Sequence, residues 1–413
     1  MYNNNRFGNN NRSHGGGRGR GGRGGRGGGG NNRFTQSEVC NFFLDNRCNR
    51  DNCRSPHFLQ RLGTASGHNG AVKDVVIWDA RQQAFTCAMD GSVRLWDLGT
   101  MKEVAVIPQC KTELDSLPVQ KDKKSSEGVA SLHLEGPHLF VGYEEPTPLI
   151  PDIPVGRIQC WNLENPGAPP MELMVSPEMP FAHYRNVWAL TVTTLPTGAI
   201  IVLSGSADGR IGYWLYDGAT QAFKRAGVME GHTRGITRLK TVQLGATTAL
   251  ISSSMDHTIR IWDLSTFTCG TVLSRACDGH ANVVMDLEVW VNNGEQYLIS
   301  TGLDHQIIVW QLAPPFSQVF KETLDSPALS LCATTDAGEC PVLLIGHDDG
   351  SVTVKELPSF QYKMSFGKNV TNVGHHDAVR RIIKGPMHTF FTASNDRKMM
   401  AWQIKGKVAD IQN

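Results

Sequence analysis

The chain lacks any long hydrophobic run. No segment approaches the roughly 18 consecutive apolar residues that suggest a membrane-spanning helix. Residues 1–20 also lack the apolar stretch of a secretory signal. These absences argue against a membrane-spanning helix and a secretory leader, so we expect a soluble, intracellular protein.

Cysteine is too sparse for a disulfide framework, with ten residues in a chain of 413. Three of the ten lie in a metal-ligand spacing that requires reduced thiolates, which indicates a reducing compartment. The other seven are scattered through apolar, strand-like segments, and we predict that they are small buried core residues. These are Cys87, Cys110, Cys160, Cys269, Cys277, Cys332 and Cys340.

Signatures of catalysis are missing as well. The sequence contains no phosphate-binding loop and no nucleophile motif. Its one candidate metal site has all four ligand positions filled, which leaves no open position for a reacting water. We therefore expect a protein that is not an enzyme and that has no small-molecule substrate.

Lysine, aspartate and glutamate are absent from residues 1–33, which contain seven arginines. The formal net charge of +1 for the whole chain therefore leaves −6 for the remaining residues. A basic segment on a mildly acidic body indicates an anionic partner for that segment. Residues 1–33 cannot form an apolar core, and we predict a disordered Arg/Gly-rich tail.

The densest part of this tail reads RGRGGRGGRGG. A guanidinium group pairs with phosphate and stacks on a base, so such tracts bind RNA with little sequence preference. The predicted nucleic-acid contacts in the tail are Arg18, Arg20, Arg23 and Arg26. The alternative is a solubilising tail or a substrate for arginine methylation.

Residues 34–60 contain a candidate zinc finger. Its four ligands follow the spacing C-x7-C-x4-C-x3-H: Cys40, Cys48, Cys53 and His57. Zinc favours tetrahedral Cys and His ligation, and a segment too short to bury a core gains its folding free energy from the metal. We predict one structural Zn²⁺ ion.

This spacing resembles the CCCH zinc finger family, whose members commonly bind single-stranded RNA. The resemblance implies that Phe43 stacks on a base, whereas Ser55 stands where many members have a second aromatic residue. Three finger arginines are predicted phosphate contacts, although Glu38, Asp45 and Asp51 offset their charge: Arg47, Arg50 and Arg54. The alternative is a finger with a structural or protein-contacting role.

From residue 67 onward the chain repeats. An Asp is followed six residues later by Trp in five units: Asp90/Trp96, Asp208/Trp214, Asp256/Trp262, Asp304/Trp310 and Asp396/Trp402. A His precedes each pair: His68, His183, His232, His280 and His375. Two weaker units, residues 156–162 and 349–355, bring the number of repeats to seven.

Repeats of roughly 40 residues with these signatures resemble the WD-repeat family. The resemblance implies an all-β fold, a seven-bladed β-propeller over residues 61–413, in which His, Asp and Trp lock each blade with a strand Ser such as Ser252 or Ser254. The last blade needs an outer strand from residues 58–64 or from residues 404–411. We favour the first, which places the finger directly against the propeller.

In the WD-repeat family, partners bind at the rim of the central channel. The corresponding residues here are Lys73, Arg185, Trp188, Arg234, Met285 and Arg380. This mixture suits a protein or peptide with an apolar anchor and some acidic character. The alternative is that Trp188 and Met285 pack inward as core residues.

The order of tail, finger and propeller resembles the plant zinc finger CCCH domain-containing WD-repeat proteins. The resemblance implies a nucleic-acid-binding adaptor, in which the tail and finger tether RNA, or alternatively DNA, and the propeller recruits a protein. We then favour the nucleus, with the cytoplasm as the alternative. The alternative is a scaffold or ubiquitin-ligase substrate receptor with a purely structural finger. Gly99 and Ser265 argue against the receptor, because such receptors usually carry Arg or Lys there.

Overall fold

The computed structural model describes residues 39–50, 52–107, 128–150 and 153–411. The predicted tail, with Arg18, Arg20, Arg23 and Arg26, lies outside the described residues. The α-helices within the described ranges are single turns, α1 (Asn41–Leu44) and α2 (Lys368–Thr371). None of them is long and apolar enough to cross a membrane.

The strands form seven antiparallel sheets of four strands each, which we call blades 1 to 7. Blade 1 contains β2 (Val72–Trp78), β3 (Gln83–Ala88), β4 (Val93–Asp97) and β5 (Glu103–Ile107). Blade 2 contains β6 (Val129–Glu135), β7 (His138–Glu145), β8 (Val155–Asn162) and β9 (Met171–Leu173). Blade 3 contains β10 (Val187–Thr194), β11 (Ile200–Ser206), β12 (Ile211–Asp217) and β13 (Ala222–Met229).

Blade 4 contains β14 (Ile236–Leu244), β15 (Thr247–Ser254), β16 (Ile259–Asp263) and β17 (Thr268–Leu273). Blade 5 contains β18 (Val284–Asn292), β19 (Glu295–Gly302), β20 (Gln306–Gln311) and β21 (Gln318–Thr323). Blade 6 contains β22 (Ala328–Thr335), β23 (Pro341–His347), β24 (Val352–Glu356) and β25 (Tyr362–Phe366). Blade 7 contains β26 (Val379–Lys384), β27 (Thr389–Ser394), β28 (Lys398–Ile404) and β1 (Leu59–Ser66).

The burial of each strand follows its place in the blade. In blade 4, β15 is buried on both faces because it lies between neighbouring blades. The outer strand β17 alternates exposed and partly buried residues, as expected for a strand with one face toward water. The core lies between blades, where Ile251 of blade 4 packs in one cluster with Val284 and Leu298 of blade 5. The predicted seven-bladed propeller is therefore confirmed.

The ring is closed by the strand that follows the finger. Strand β1 pairs with β28 from Leu59 opposite Ile404 to Ser66 opposite Lys398. Residues 404–411 do not supply the closing strand, because Ile404 ends β28 and Val408–Asp410 forms a single 3₁₀ turn. Closure from the N-terminal side is confirmed, and the outer edge of β28 is paired rather than open.

A repeated hydrogen-bond network locks five blades. In blade 4, His232 Nδ1 lies 2.8 Å from Asp256 and its Nε2 lies 2.8 Å from Ser252 Oγ, which also accepts from Trp262 Nε1 at 2.8 Å. The same His–Asp and His–Ser or His–Thr contacts occur at His68, His183, His280 and His375. These residues therefore have the structural role that the WD-repeat resemblance implied.

Blade 6 has different hydrogen bonds at the position of the blade tryptophan. Lys355 stands where the other blades have Trp, and it is buried. Its ammonium group donates to Glu322 Oε1 at 2.7 Å and to the Phe360 carbonyl at 3.1 Å. The lysine thus occupies the position of the missing indole and links blade 6 to blade 5.

The scattered cysteines follow the prediction only in part. Three are buried: Cys87, Cys160 and Cys332. Burial raises the pKa of Cys160 and of Cys332 to about 12, so both thiols stay protonated. The prediction is wrong for Cys277, which is exposed in a 3₁₀ turn where its Sγ accepts a hydrogen bond from Ser274 N at 3.1 Å. Cys110 lies outside the described residues.

Candidate metal centre and binding surfaces

The four predicted zinc ligands lie together. One ligand atom from each of Cys40, Cys48, Cys53 and His57 falls within 4.8 Å of the other three. Two hydrogen bonds of Cys40, one to its side chain and one from its backbone, hold the ends of this segment in place. Cys40 caps α1, accepting a hydrogen bond from Phe43 N at 3.4 Å. Its own N–H donates to the Pro56 carbonyl at 3.1 Å, which brings Cys40 next to His57.

The imidazole of His57 provides a test of whether a metal fits. Its Nε2 atom is buried and has no hydrogen-bond partner among the described residues. The ring of Phe43 stacks on the imidazole with a centroid distance of 4.0 Å and an interplanar angle of 6°. A buried polar atom without a partner costs free energy unless a ligand takes it up. With three thiols beside it, the donor set fits zinc.

The thiols differ in their electrostatic surroundings. Burial raises the pKa of Cys40. A hydrogen bond from the Ser55 backbone lowers the pKa of Cys53, which lies nearer the surface. Metal ligation requires thiolates, so zinc binding here is accompanied by release of protons.

The finger is packed into the propeller. Leu44 of α1 is 0% exposed, and it lies in one hydrophobic cluster with Phe58, Ile404 and Val408. Asp45 forms an ion pair with Arg61 of β1. The finger and blade 7 therefore share a core, as expected from the short connection between His57 and β1.

The predicted nucleic-acid contacts of the finger differ in exposure. Phe43 is partly buried because one ring face lies on His57, whereas its neighbour Phe42 is 64% exposed. Sequence reasoning did not choose Phe42, although adjacent helical residues point to different sides of a helix. Arg47 forms an ion pair with Asp45 at 2.6 Å. Arg50 and Arg54 are exposed.

The predicted protein contacts lie at one mouth of the channel or near it. Ligand sites in proteins commonly have volumes of about 300–1,000 Å³, and the cavity at this mouth measures ≈ 580 Å³. Lys73, Trp188, Met285 and Arg380 line it, from the inner strands of blades 1, 3, 5 and 7. The other two predicted contacts, Arg185 and Arg234, are exposed but do not line this cavity.

The indole of Trp188 is held at the mouth by a close approach of the backbone. A Cβ atom at Gly235 would lie 2.4 Å from Cζ3 of this ring, so only glycine fits. Trp188 and Met285 are both partly exposed. The cavity thus offers an apolar surface with basic groups from Lys73 and Arg380 beside it.

Sequence reasoning missed a set of charged residues inside the channel. Asp286 is fully buried and forms an ion pair with Arg238 at 3.1 Å. Asp74 forms the equivalent pair with Arg381 at 3.1 Å. The second oxygen of Asp286 accepts from the Leu331 backbone at 2.9 Å, so these pairs also connect neighbouring blades. The available signal was a charged residue at an inward position of an otherwise apolar strand.

Comparisons with known proteins agree with this architecture. The family model described as WD domain, G-beta repeat matches residues 59–97, 223–263 and 270–311. The chain is 31% identical over 371 residues to Zinc finger CCCH domain-containing protein 17 of Oryza sativa subsp. japonica, covering 88% of this chain and 72% of that protein. The chain belongs to the plant CCCH zinc finger domain-containing proteins.

Two further members of this CCCH zinc finger family come from Arabidopsis thaliana. Zinc finger CCCH domain-containing protein 59 is 28% identical over 377 residues, covering 89% of this chain and 68% of that protein. Zinc finger CCCH domain-containing protein 48 is 29% identical over 382 residues, covering 91% and 75%. These matches cover most of the chain, and together with the ligand cluster they support zinc at this CCCH site.

Proposed function

We propose that this CCCH zinc finger protein is a zinc-dependent nucleic-acid-binding adaptor. The observation that carries the proposal is a four-ligand cluster packed onto the propeller, with exposed arginines and an exposed aromatic ring beside it. The four protein ligands fill a tetrahedral shell around one Zn²⁺ ion. The ion then folds the finger, and no coordination position is left open for a reacting water. We expect the protein to act by binding and not as an enzyme.

The finger surface suits a single strand of nucleic acid. Arg50 and Arg54 are exposed and offer charge to phosphates, and Phe42 offers a ring on which a base can stack. Stacking of unpaired bases on aromatic side chains is the usual mode of single-stranded RNA recognition, so RNA is favoured over DNA. The arginines of residues 1–33 then add affinity that depends strongly on salt.

The propeller mouth suits a protein partner. Trp188 and Met285 offer an apolar seat, and Lys73 and Arg380 stand beside it. Asp348 and Asp377 line the same cavity, so the charge is mixed and favours a peptide with an apolar anchor and a few acidic residues. Joining RNA and protein sites in one chain raises the effective concentration of one partner near the other. Such a role favours the nucleus over the cytoplasm.

RNA binding by the full-length protein in a salt series tests this proposal. The comparison is between the natural chain, a Cys48→Ser variant, and a variant with Arg18, Arg20, Arg23 and Arg26 changed to Gln. We expect the tail variant to flatten the salt dependence and Cys48→Ser to abolish sequence preference. If neither variant differs from the natural chain, the finger and tail do not bind RNA.

The packing of the finger favours one second candidate. Because Leu44 lies in the blade 7 core, the finger has a structural role whether or not it binds RNA. The protein would then be an interaction scaffold, or a ubiquitin-ligase substrate receptor, that acts through the propeller alone. In that case Cys48→Ser lowers the melting temperature, while the natural chain shows no RNA binding above a control protein.

A further inference from the structure

The finger and the propeller share a groove. Its volume is ≈ 390 Å³, and one wall comes from finger residues 53–57. The opposite wall comes from the segment after β28, with Gly406, Lys407 and Asp410. These two walls are more than three hundred positions apart in the sequence, and only closure of the ring brings them together.

Both walls are fixed by hydrogen bonds. The Phe58 carbonyl accepts from Lys405 N at 2.7 Å and from Gly406 N at 3.1 Å. A Cβ atom at Gly406 would lie 2.9 Å from Phe58 Cα, so glycine permits this approach. Val408 N donates to the buried carboxylate of Asp336 at 2.6 Å. These contacts hold the two segments beside each other, so the groove is a preformed feature of the closed ring.

The charges in the groove favour a polyanion. Arg54 and Lys407 contribute one cation from each wall, and both residues are exposed. Neither forms an ion pair with another described residue, whereas Arg47 on the finger is already paired with Asp45. Asp410 is the acidic residue of the lining and partly offsets them. One exposed cation on each side of a groove beside the finger suits the phosphates of a single strand.

We propose that a single strand of nucleic acid held by the finger continues through this groove, where Lys407 binds phosphate from the propeller side. The nucleic-acid site is then composite, and the propeller contributes to it directly. This inference rests on the proposed function, and it extends the site beyond the residues that the finger itself supplies.

Fluorescence anisotropy of the full-length protein in a salt series tests the proposal. The probe is a fluorescein-labelled pool of single-stranded RNA with random sequence, about 20 nucleotides long, which exceeds the length that one small module covers. Every protein carries glutamine at positions 18, 20, 23 and 26, so that tail affinity does not hide the groove. The variants are Arg54→Glu, Lys407→Glu, Lys407→Arg and Asp410→Asn. Arg275→Glu is the control, because Arg275 is exposed between blades 4 and 5, across the ring from blade 7.

We expect Lys407→Glu to raise the Kd roughly three- to tenfold and to lower the slope of log Kd against log salt by about 0.7, the value for one phosphate contact on a single strand. Asp410→Asn should lower the Kd, and Lys407→Arg should keep it unchanged. Arg275→Glu should have no effect. The melting curve of each variant must coincide with that of the parent, which is the protein with glutamine at positions 18, 20, 23 and 26. If Lys407→Glu changes the melting temperature, the lower Kd predicted for Asp410→Asn tests the groove independently.

Two results overturn the inference, and they differ from each other. If Arg54→Glu weakens binding while Lys407→Glu behaves like Arg275→Glu, the finger binds RNA but the strand does not enter the groove. If the parent binds no RNA, the composite site and the proposed function are both wrong. Weakening by Lys407→Glu together with strengthening by Asp410→Asn supports the composite site.

Discussion

Blade 4 and blade 7 have the same four-stranded design but are built in different ways. Blade 4 takes its strands from one continuous segment, Ile236–Leu273. Blade 7 joins β26, β27 and β28 to a strand from the other end of the chain, and the finger packs on that strand. Pairing distant segments costs more loop-closure entropy than pairing neighbours. Both blades have an internal His–Asp network, but blade 7 depends in addition on contacts outside its own sheet.

Loss of the metal should separate the two blades most clearly. In Cys48→Ser, or after zinc chelation, the finger loses the free energy that folds it, so blade 7 is destabilised by several kcal/mol. Hydrogen exchange should accelerate in β1 and β28 and stay slow in β15 and β16. Equal acceleration in both blades would show that the finger does not act through ring closure.

Truncation of Leu44 should have a smaller effect in the same place. Its side chain is fully buried against blade 7, and replacing such a leucine with alanine costs about 2–5 kcal/mol through the cavity that remains. We expect a lower melting temperature with the zinc ligands intact. Phe42→Ala is the matched control, because its side chain is exposed and should leave the melting temperature unchanged. Equal melting of both variants would contradict the shared core.

Ser252→Ala should destabilise blade 4 rather than blade 7. The change removes the partner of His232 Nε2 and Trp262 Nε1, two buried groups in blade 4. Each unsatisfied group costs about 1–3 kcal/mol. Hydrogen exchange should rise in β14 to β17, while zinc content, measured by metal analysis, stays unchanged. Faster exchange confined to β1 would disprove the idea that blade 4 is locked by its own network.

Mild acidification from neutral pH should change the stability less than any of the substitutions above. Burial lowers the pKa of His68 despite the opposing effect of Asp90, and burial also lowers the pKa of His347. A histidine whose pKa is lowered by folding stabilises the protein at pH values above its ordinary pKa of about 6.5. This stabilisation is lost as the pH falls toward the pKa of the histidine in the folded protein. Denaturant unfolding at pH 7.5 and pH 5.5 should therefore show a modest loss, which His68→Gln should reduce.

A second loss of stability should follow at lower pH. Hydrogen bonds from His232 and Thr258 outweigh burial and hold the pKa of Asp256 below its ordinary range. The other network carboxylates shift in the same direction: Asp90, Asp208, Asp304 and Asp396. Their stabilisation is complete above the ordinary pKa near 4 and is lost as pH falls through the lower folded values. A flat profile below pH 4 would contradict this role.

Local, repeated signals explain why much of the fold could be predicted. The ligand spacing from Cys40 to His57 lies within one short segment, and the His–Asp–Trp pattern recurs in five of the seven blades, so each could be recognised without the three-dimensional structure. The resemblance to known families then supplied the propeller. The need for an outer strand in the last blade left two candidate segments, and we favoured the one that directly follows His57. The structure adds the contacts that show how strand and finger are joined.

Features that depend on the closed ring could not be predicted. The pair of Asp74 with Arg381 joins blade 1 to the adjacent blade 7, and Arg54 and Lys407 line one groove. Neither has a local sequence pattern, because the residues meet only after seven blades have closed. The stacking of Phe43 on His57 was not predicted for another reason. An aromatic residue at this position can either pack on a metal ligand or stack on a base, and the sequence does not distinguish the two.

The pairing of β1 with β28 sets an order of events during synthesis. Strand β1 leaves the ribosome roughly 330 residues before its partner, which at 5–20 residues per second is a wait of roughly 15 to 70 seconds. Throughout that time the apolar side of the finger, including Leu44, has no blade 7 to cover it. A chain that stops before β28 leaves this apolar surface uncovered and β1 unpaired. A truncation late in the sequence therefore exposes the part of the protein that was made first.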